Sequence, residues 1–454
     1  MILGIVAILL VGVIAYFHWV QGLFTGTISA AIAAIAAVLA VSYHEPLAAA
    51  LLQGKFSDQA YAITLIALFA LIYLIGRVIF DNFVPGNIRL PAMVDKVGGG
   101  VMGFIAGMFA IGILILAAQT LPFGAAVAGY ARYTLKDSRE VQLPQSRGQA
   151  VDIMVNDELK NDDVDPNKAD EGLLLPVDDF VIGMVNQLSD GGSLEGDRPF
   201  KSIHPAYINE LFFQRAGVQV GAKHVALNTA KLKGAEFVKA FAVDSLDQAE
   251  GEMKEIRPPR KEVAKPLTST PVKQVVVIRI KFEDDATDDD HMVRVGTASV
   301  RLVAGGKNYI PVGTLNNGLL LANKPDDFLV AKPGESVDFV FNVERDALKR
   351  AGGGDEKKPA YKFAKGALVE VKRMIRFDLG DATLDTEHDD SANGLLRKKT
   401  VVDDAANKPR AEAPAPAPAK DKAPAKSIGG IAEGVGGVRA AEAEAAGDGK
   451  KKGE

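Results

Sequence analysis

Asp95-Lys-Val-Gly-Gly-Gly-Val-Met-Gly103-Phe-Ile-Ala-Gly107, continued by Met108-Phe-Ala-Ile-Gly-Ile-Leu-Ile-Leu-Ala-Ala118, decides the architecture of the N-terminal third. Gly99, Gly103 and Gly107 recur at every fourth residue, so an α-helix carries all three on one face. The surrounding side chains are apolar enough for lipid to solvate. With no side chain in the way, a second helix backbone can approach closely enough for dispersion and weak interhelical hydrogen bonds to hold the pair. The pattern predicts a membrane helix with a glycine packing ridge.

Working outward, four apolar stretches can be drawn: Ile2–Phe17, Leu23–Tyr43, Tyr61–Phe80 and Val97–Leu121. Each approaches the ~20 residues needed to cross a ~30 Å hydrocarbon layer. The first lacks a basic leading region and is followed at once by more apolar sequence, so it reads as a spanning helix rather than a cleaved signal. The runs lack the alternation of barrel strands, which leaves helices as the spanning structure. Within the second stretch, Gly22, Gly26, Ala30, Ala33, Ala37 and Ala40 form a small-residue stripe. Ile28, Ile32, Ile35 and Leu39 are expected on the lipid side. Two small-residue faces in one short segment predict that they meet, within the chain or between copies as a homo-oligomer.

Polar residues are few here. His18 and Trp19 fall where an interfacial aromatic belt is expected, and Arg77 and Asp81 close the third helix four residues apart. Arg77 reads as an end-of-helix side chain reaching the headgroups. Asp95 begins the last helix. Thr64 and Tyr73 are the main polar groups at mid-depth, so the helices lack the buried acids and bases of an ion-coupled transporter. Arg77, Arg89 and Lys96 flank one side, and Lys55, Arg132, Lys136 and Arg139 the other. That balance sets no orientation.

Gln21-Gly-Leu-Phe-Thr-Gly26, and Asp95 followed by Gly99, Gly103 and Gly107, resemble the colicin V production protein family of bacterial inner-membrane proteins. His18-Trp-Val-Gln-Gly-Leu-Phe24 and Glu45-Pro46 resemble the form this family takes in chains with long soluble extensions. The sequence departs from the family at Gln21 and Ala106, where arginine is frequent. The resemblance covers roughly the first third of the chain. It implies a multi-pass protein of the cytoplasmic membrane linked to toxin production or export, without an established catalytic activity, and the chain is expected not to be an enzyme.

Gly98-Gly-Gly-Val-Met-Gly103 also satisfies G-x-G-x-x-G, but it opens a membrane helix rather than joining a strand to a helix, so no dinucleotide site is expected. Asp163-Val-Asp165-Pro-Asn167 resembles a calcium loop, with Lys168 in place of the turn glycine and Leu174 in place of the bidentate glutamate. It reads as a solvated loop. The acidic run from Glu283 to His291 reads the same way. No cofactor or metal is expected. Cysteine is absent, which excludes disulfides, thiolate zinc sites and a thiol nucleophile. The net charge of −5 leaves no footprint for nucleic acid. His204, ahead of Pro205, reads as a helix-start residue, and His224, His291 and His388 as surface positions.

The remaining sequence divides by composition. Residues 1–122 form the four-helix transmembrane domain, and 123–175 a juxtamembrane segment and acidic loop in which Arg132, Lys136 and Arg139 meet headgroups. Residues 176–256 form a small helical region. It contains Val177–Ser189, a helix opened by Pro205 and running to Phe213, and a third over Asn228–Phe241. Residues 257–271 are a Pro-rich linker. Residues 272–380 alternate apolar and polar at Val276–Phe282, Ala298–Leu302, Val337–Val343 and Val369–Phe377, as an immunoglobulin-like all-β sandwich would. Residues 381–454 are Ala-, Pro-, Lys- and Glu-rich, with little to bury, and read as a disordered tail. The soluble part is expected to engage a protein partner, and the bundle the lipid bilayer. Alternative roles are an oligomeric channel or export component, or a membrane-tethered binding module.

Overall fold

Uninterrupted apolar sequence lets the backbone satisfy itself, and the four stretches fold into α1 (Ile2–Gln21), α2 (Leu23–Leu51), α3 (Ala60–Phe83) and α4 (Ala92–Thr120). In this computed structural model all four are long and apolar enough to cross a membrane. The structure describes residues 2–52, 59–83, 91–122, 124–136, 139–144, 150–155, 158–160, 164–189, 199–215, 219–220, 223–224, 234–247, 266–287, 293–316, 319–322, 328–351, 360–373 and 375–385. The linker up to Lys265, the end of the acidic run, His291, and the tail beyond Asp385 lie outside the described residues.

Helix length differs within the bundle. At 1.5 Å per residue, the 29 residues of α2 and of α4 extend about 43 Å, against about 30 Å for the 20 residues of α1. The long helices outreach a hydrocarbon layer, and their C-terminal turns become the base for the rest of the molecule. α2 and α4 share a core of Ala30, Ala33, Ala37 and Val41 with Ala106, Phe109, Ile113 and Ala117. Leu9, Val13 and Tyr16 of α1, Leu71, Leu74 and Val78 of α3, and Val97 and Val101 of α4 remain exposed as an apolar outer surface. Ile35 faces outward as expected, but Ile32 is only 3 % exposed. It is covered by α3, where a Cβ at Gly76 would lie 2.7 Å from its Cγ2.

Beyond α4 the chain folds back over the bundle. Short strands Leu135–Lys136 and Glu158–Leu159 pair, as do Arg139–Pro144 and Ala150–Val155, where the sequence reading expected an exit segment and loop. Val141 and Leu143, facing Ile153 and Val151 in register, supply the period-2 signal that the surrounding charges concealed. Arg132 does not reach outward as expected. It makes a bidentate pair with Asp179 at 2.7 and 2.8 Å, holding the first turn of α5 (Val177–Ser189). Two further helices follow, α6 (Phe200–Ile203) and α7 (Tyr207–Arg215).

The expected third helix over Asn228–Phe241 is a correction: Ala235–Val243 is a strand, β1, and residues 228–233 lie outside the described residues. Its register against the next strand shifts between Arg279 and Ile280, passing over Val238. Such a bulge breaks the alternation by which a strand is recognised. The principal strands continue as β2 (Lys273–Phe282), β3 (Val300–Ala304), β4 (Lys307–Tyr309), β5 (Gly313–Asn316), β6 (Leu319–Ala322), β7 (Ser336–Glu344), β8 (Leu368–Val371) and β9 (Ile375–Asp378). They form two antiparallel sheets, ordered β6-β5-β7-β2-β1 and β4-β3-β8-β9. Both sheets contribute to one core, with Ile278, Ile280, Phe339 and Phe341 from the first and Val300, Leu302, Val369 and Val371 from the second. The other face of β2 is also covered: Val275 and Val277 pack with Phe241, Leu315 and Val340. Arg279 on that face meets its register partner Asp338 at 2.7 and 2.8 Å.

Candidate functional site

Pro46 sits inside α2 and removes the hydrogen bond that its position would have given the Ser42 carbonyl. Immediately before it, His44 and Glu45 are buried although both are polar. Burying a carboxylate without partners is costly, so its surroundings identify what this end of the bundle is for. Glu45 Oε2 accepts from His204 Nε2 at 3.0 Å and from Arg376 Nη2. His44 Nδ1 lies 2.8 Å from the Val41 carbonyl, which can only accept, so Nδ1 carries the proton. Nε2 is then free to accept from the Tyr207 hydroxyl at 2.9 Å.

The chain of contacts continues into the sheets. His204 Nδ1 is 2.6 Å from Glu210 Oε2, so each ring nitrogen faces a carboxylate. Burial opposes charge on this imidazole, but Glu45 and Glu210 outweigh it and raise its pKa above the ordinary 6.5. Glu210 also receives Asn308 Nδ2 at 2.7 Å and faces Arg301 at 3.2 Å. Arg301, on β3, holds Glu370 of β8 through Nε at 2.9 Å and Nη2 at 3.1 Å, a bidentate geometry. Arg376 on β9 bridges Glu370 to Glu45. Burial would raise the Glu370 carboxyl, yet Arg301 and Arg376 hold it down at about 2. Arg301 stays protonated despite burial because Glu210 and Glu370 surround it.

The β8–β9 hairpin places these groups. Glu370 and Arg376 are register partners, and the turn between them has Lys372 and Arg373 at φ 49° and 60°. Two consecutive non-glycine residues in left-handed conformation cost about 1–3 kcal/mol each and persist only where surroundings hold them. Here the surroundings are the bundle. Arg373 Nη1 donates to the Thr120 carbonyl at 3.3 Å, and its guanidinium lies 4.5 Å from the Tyr61 ring centre on α3. Arg215 donates to the carbonyls of Gln119 and Gly124. Two cations therefore satisfy the C-terminal carbonyls of α4, where the helix dipole favours positive charge. Burial and the nearby Arg373 lower the Arg215 pKa to about 9.

At the opposite end of α2, Asp95 is brought to the α1–α2 turn. Its Oδ1 accepts the Leu23 N–H at 2.8 Å, giving α2 an N-terminal cap from another helix. Gly22 has φ 96°, and a Cβ there would lie 2.6 Å from the Asp95 carboxylate. The glycine ridge of α4 is filled by α1 of the same chain. A Cβ at Gly99 would lie 2.4 Å from the His18 carbonyl, at Gly103 2.4 Å from the His18 Cβ, and at Gly107 3.2 Å from Val11. Gly26 meets Gly99 and Met102 from the α2 side. Arg77 pairs with Asp81 at 3.0 Å and reaches Ser29 on α2 at 3.2 Å. The calcium-like Asp165 and Asn167 lie in a turn; Asn167 joins the network, its Oδ1 accepting the Asn308 N–H at 2.8 Å. Among the described residues, no three His, Asp or Glu side chains converge as metal ligands.

His204 lies in the turn ahead of α7, where the sequence placed a helix start, but it is 2 % exposed and joins the bundle to the helical segment and the sheets, which the sequence did not show. The signal that could have found the site was Glu45, an acid in apolar sequence, since such a group needs a partner.

No characterised protein and no solved structure is significantly similar to the chain. Residues 3–143 match the model of the Colicin V production protein family, a span that takes in all four membrane-length helices. The region of four membrane-length helices is thus similar to the colicin V production protein family, and in this chain a long, β-rich C-terminal extension follows it.

Proposed function

We propose that the chain is a non-catalytic, multi-pass protein of the cytoplasmic membrane that serves toxin production or export. In this reading the bundle is a base on which the β-rich region is held as an interaction platform for a protein partner. The observation that carries it is the sharing of Glu45, on α2, between His204 and Arg376. A tethered module would be joined to its anchor by a linker alone. Here the platform is held by buried charge pairs at the end of the bundle, so a force or partner acting on one acts on the other. The family assignment supports the envelope and toxin association, and the family is not known for enzymes.

Complementation tests this. In cells lacking the gene, the full chain should restore colicin V release, while a chain ending after residue 143 should reach the membrane and fail to do so. Full restoration by the truncated chain would overturn the platform role.

A further inference from the structure

Where the hairpin meets the bundle there is a cavity of about 390 Å³, within the range that holds small-molecule ligands. One wall is apolar, with Val41, Pro46 and Ala49 from α2 and Phe200 and Ile203 from α6. The other carries Arg373 and Arg376. The carboxylates nearby are engaged elsewhere. Glu45 pairs with His204 and Arg376, Glu210 with His204 and Arg301, and Glu370 with Arg301 and Arg376. Arg373 pairs with none of them. It is 4 % exposed, has no carboxylate partner among the described residues, and its Nη2 has no hydrogen-bond partner. A second cation, Arg215, lies close enough for the two to repel. A buried guanidinium in that position is costly unless an anion completes it.

We infer that this cavity binds a phosphate oxyanion, that of an acidic phospholipid headgroup, seated on Arg373 with the adjoining part of the lipid against the apolar wall. Planar guanidinium donors match phosphate oxygens, and basic pockets beside membrane helices take such headgroups. The place fits the ligand, because α2 carries the apolar wall directly out of its membrane-spanning length. It also accounts for the left-handed turn, which spends conformational energy to set Arg373 against the bundle. The inference rests on the hairpin's docking onto the bundle and is independent of the toxin role.

The test uses the purified full chain in nanodiscs of phosphatidylcholine, with or without phosphatidylglycerol, and in detergent with or without inorganic phosphate. The expected result is a higher melting temperature with phosphatidylglycerol and none of that shift in Arg373→Gln or in Ala49→Phe, which fills the cavity and keeps the charge. If Arg373→Gln fails to fold, Ala49→Phe decides. Stabilisation by inorganic phosphate, lost in the same variants, would support the oxyanion site with free phosphate as its source. No stabilisation by either anion, or a shift that survives in Ala49→Phe, would overturn the inference. A wild-type complementation result alongside either of those would leave the platform role standing.

Discussion

His204 is held between two carboxylates, and that arrangement has a pH signature. Its pKa is raised on folding, so the stability it contributes is complete below its ordinary value of 6.5 and is lost as pH rises through the higher folded value. Glu210 and Glu370 act in the other direction. Their pKa values are lowered, so their contribution is present above the ordinary 4.5 and is lost as pH falls through the folded values, about 2 for Glu370. The full chain should therefore be most stable between these limits. In His204→Gln the alkaline loss of melting temperature should shrink while the acid limb remains; an unchanged alkaline limb would show that another group is responsible. None of this was visible around His204 in the sequence. Its partner Glu45 is 159 positions away, and Arg376 is 331 positions from Glu45. Local spacing carries no trace of pairs that far apart.

α4 shows what sequence does carry. A spanning helix has to be apolar along its whole length, so its extent was legible, and small residues four apart mark where another backbone can lie. The same reasoning left the partner of the ridge open between a helix of this chain and another copy, and the structure fills it with α1. Replacing Gly103 by leucine would drive side-chain atoms into His18 and Ala15, against a Cβ position already 2.4 Å from the His18 Cβ. Overpacking of this kind costs about 1–3 kcal/mol. Gly103→Leu should lower the detergent melting temperature of the full chain, and an unchanged melt would show that α1 is not seated there. Gly112 is less legible because it lies outside the four-residue repeat. A Cβ there would lie 2.5 Å from the Val177 carbonyl, at the start of α5. The strand β1 was misread for a related reason: a bulge at Val238 removes the alternation that announces a sheet.

Across the molecule, the order of four membrane-length helices followed by a β-rich region could be read from the sequence, because each is dictated by its solvent and its hydrophobic period. How the parts are joined could not. The joint is built from Glu45 on α2, His204 and Glu210 from the helical segment, and Arg301, Glu370 and Arg376 from the sheets. Such a network locks a geometry more than it adds stability, since its desolvation offsets much of the attraction; removing one member leaves its partners uncompensated and costs about 3–5 kcal/mol. The soluble region is therefore predicted to lose its seat on the bundle before either part unfolds. The decisive measurement is a double-mutant cycle of Glu45→Gln and Arg376→Met in the unfolding free energy of the full chain in detergent. A joint between bundle and sheet predicts a coupling energy of about 1–3 kcal/mol. Effects that add to within about 0.5 kcal/mol would contradict it, and with it the conclusion that α2 and β9 are joined.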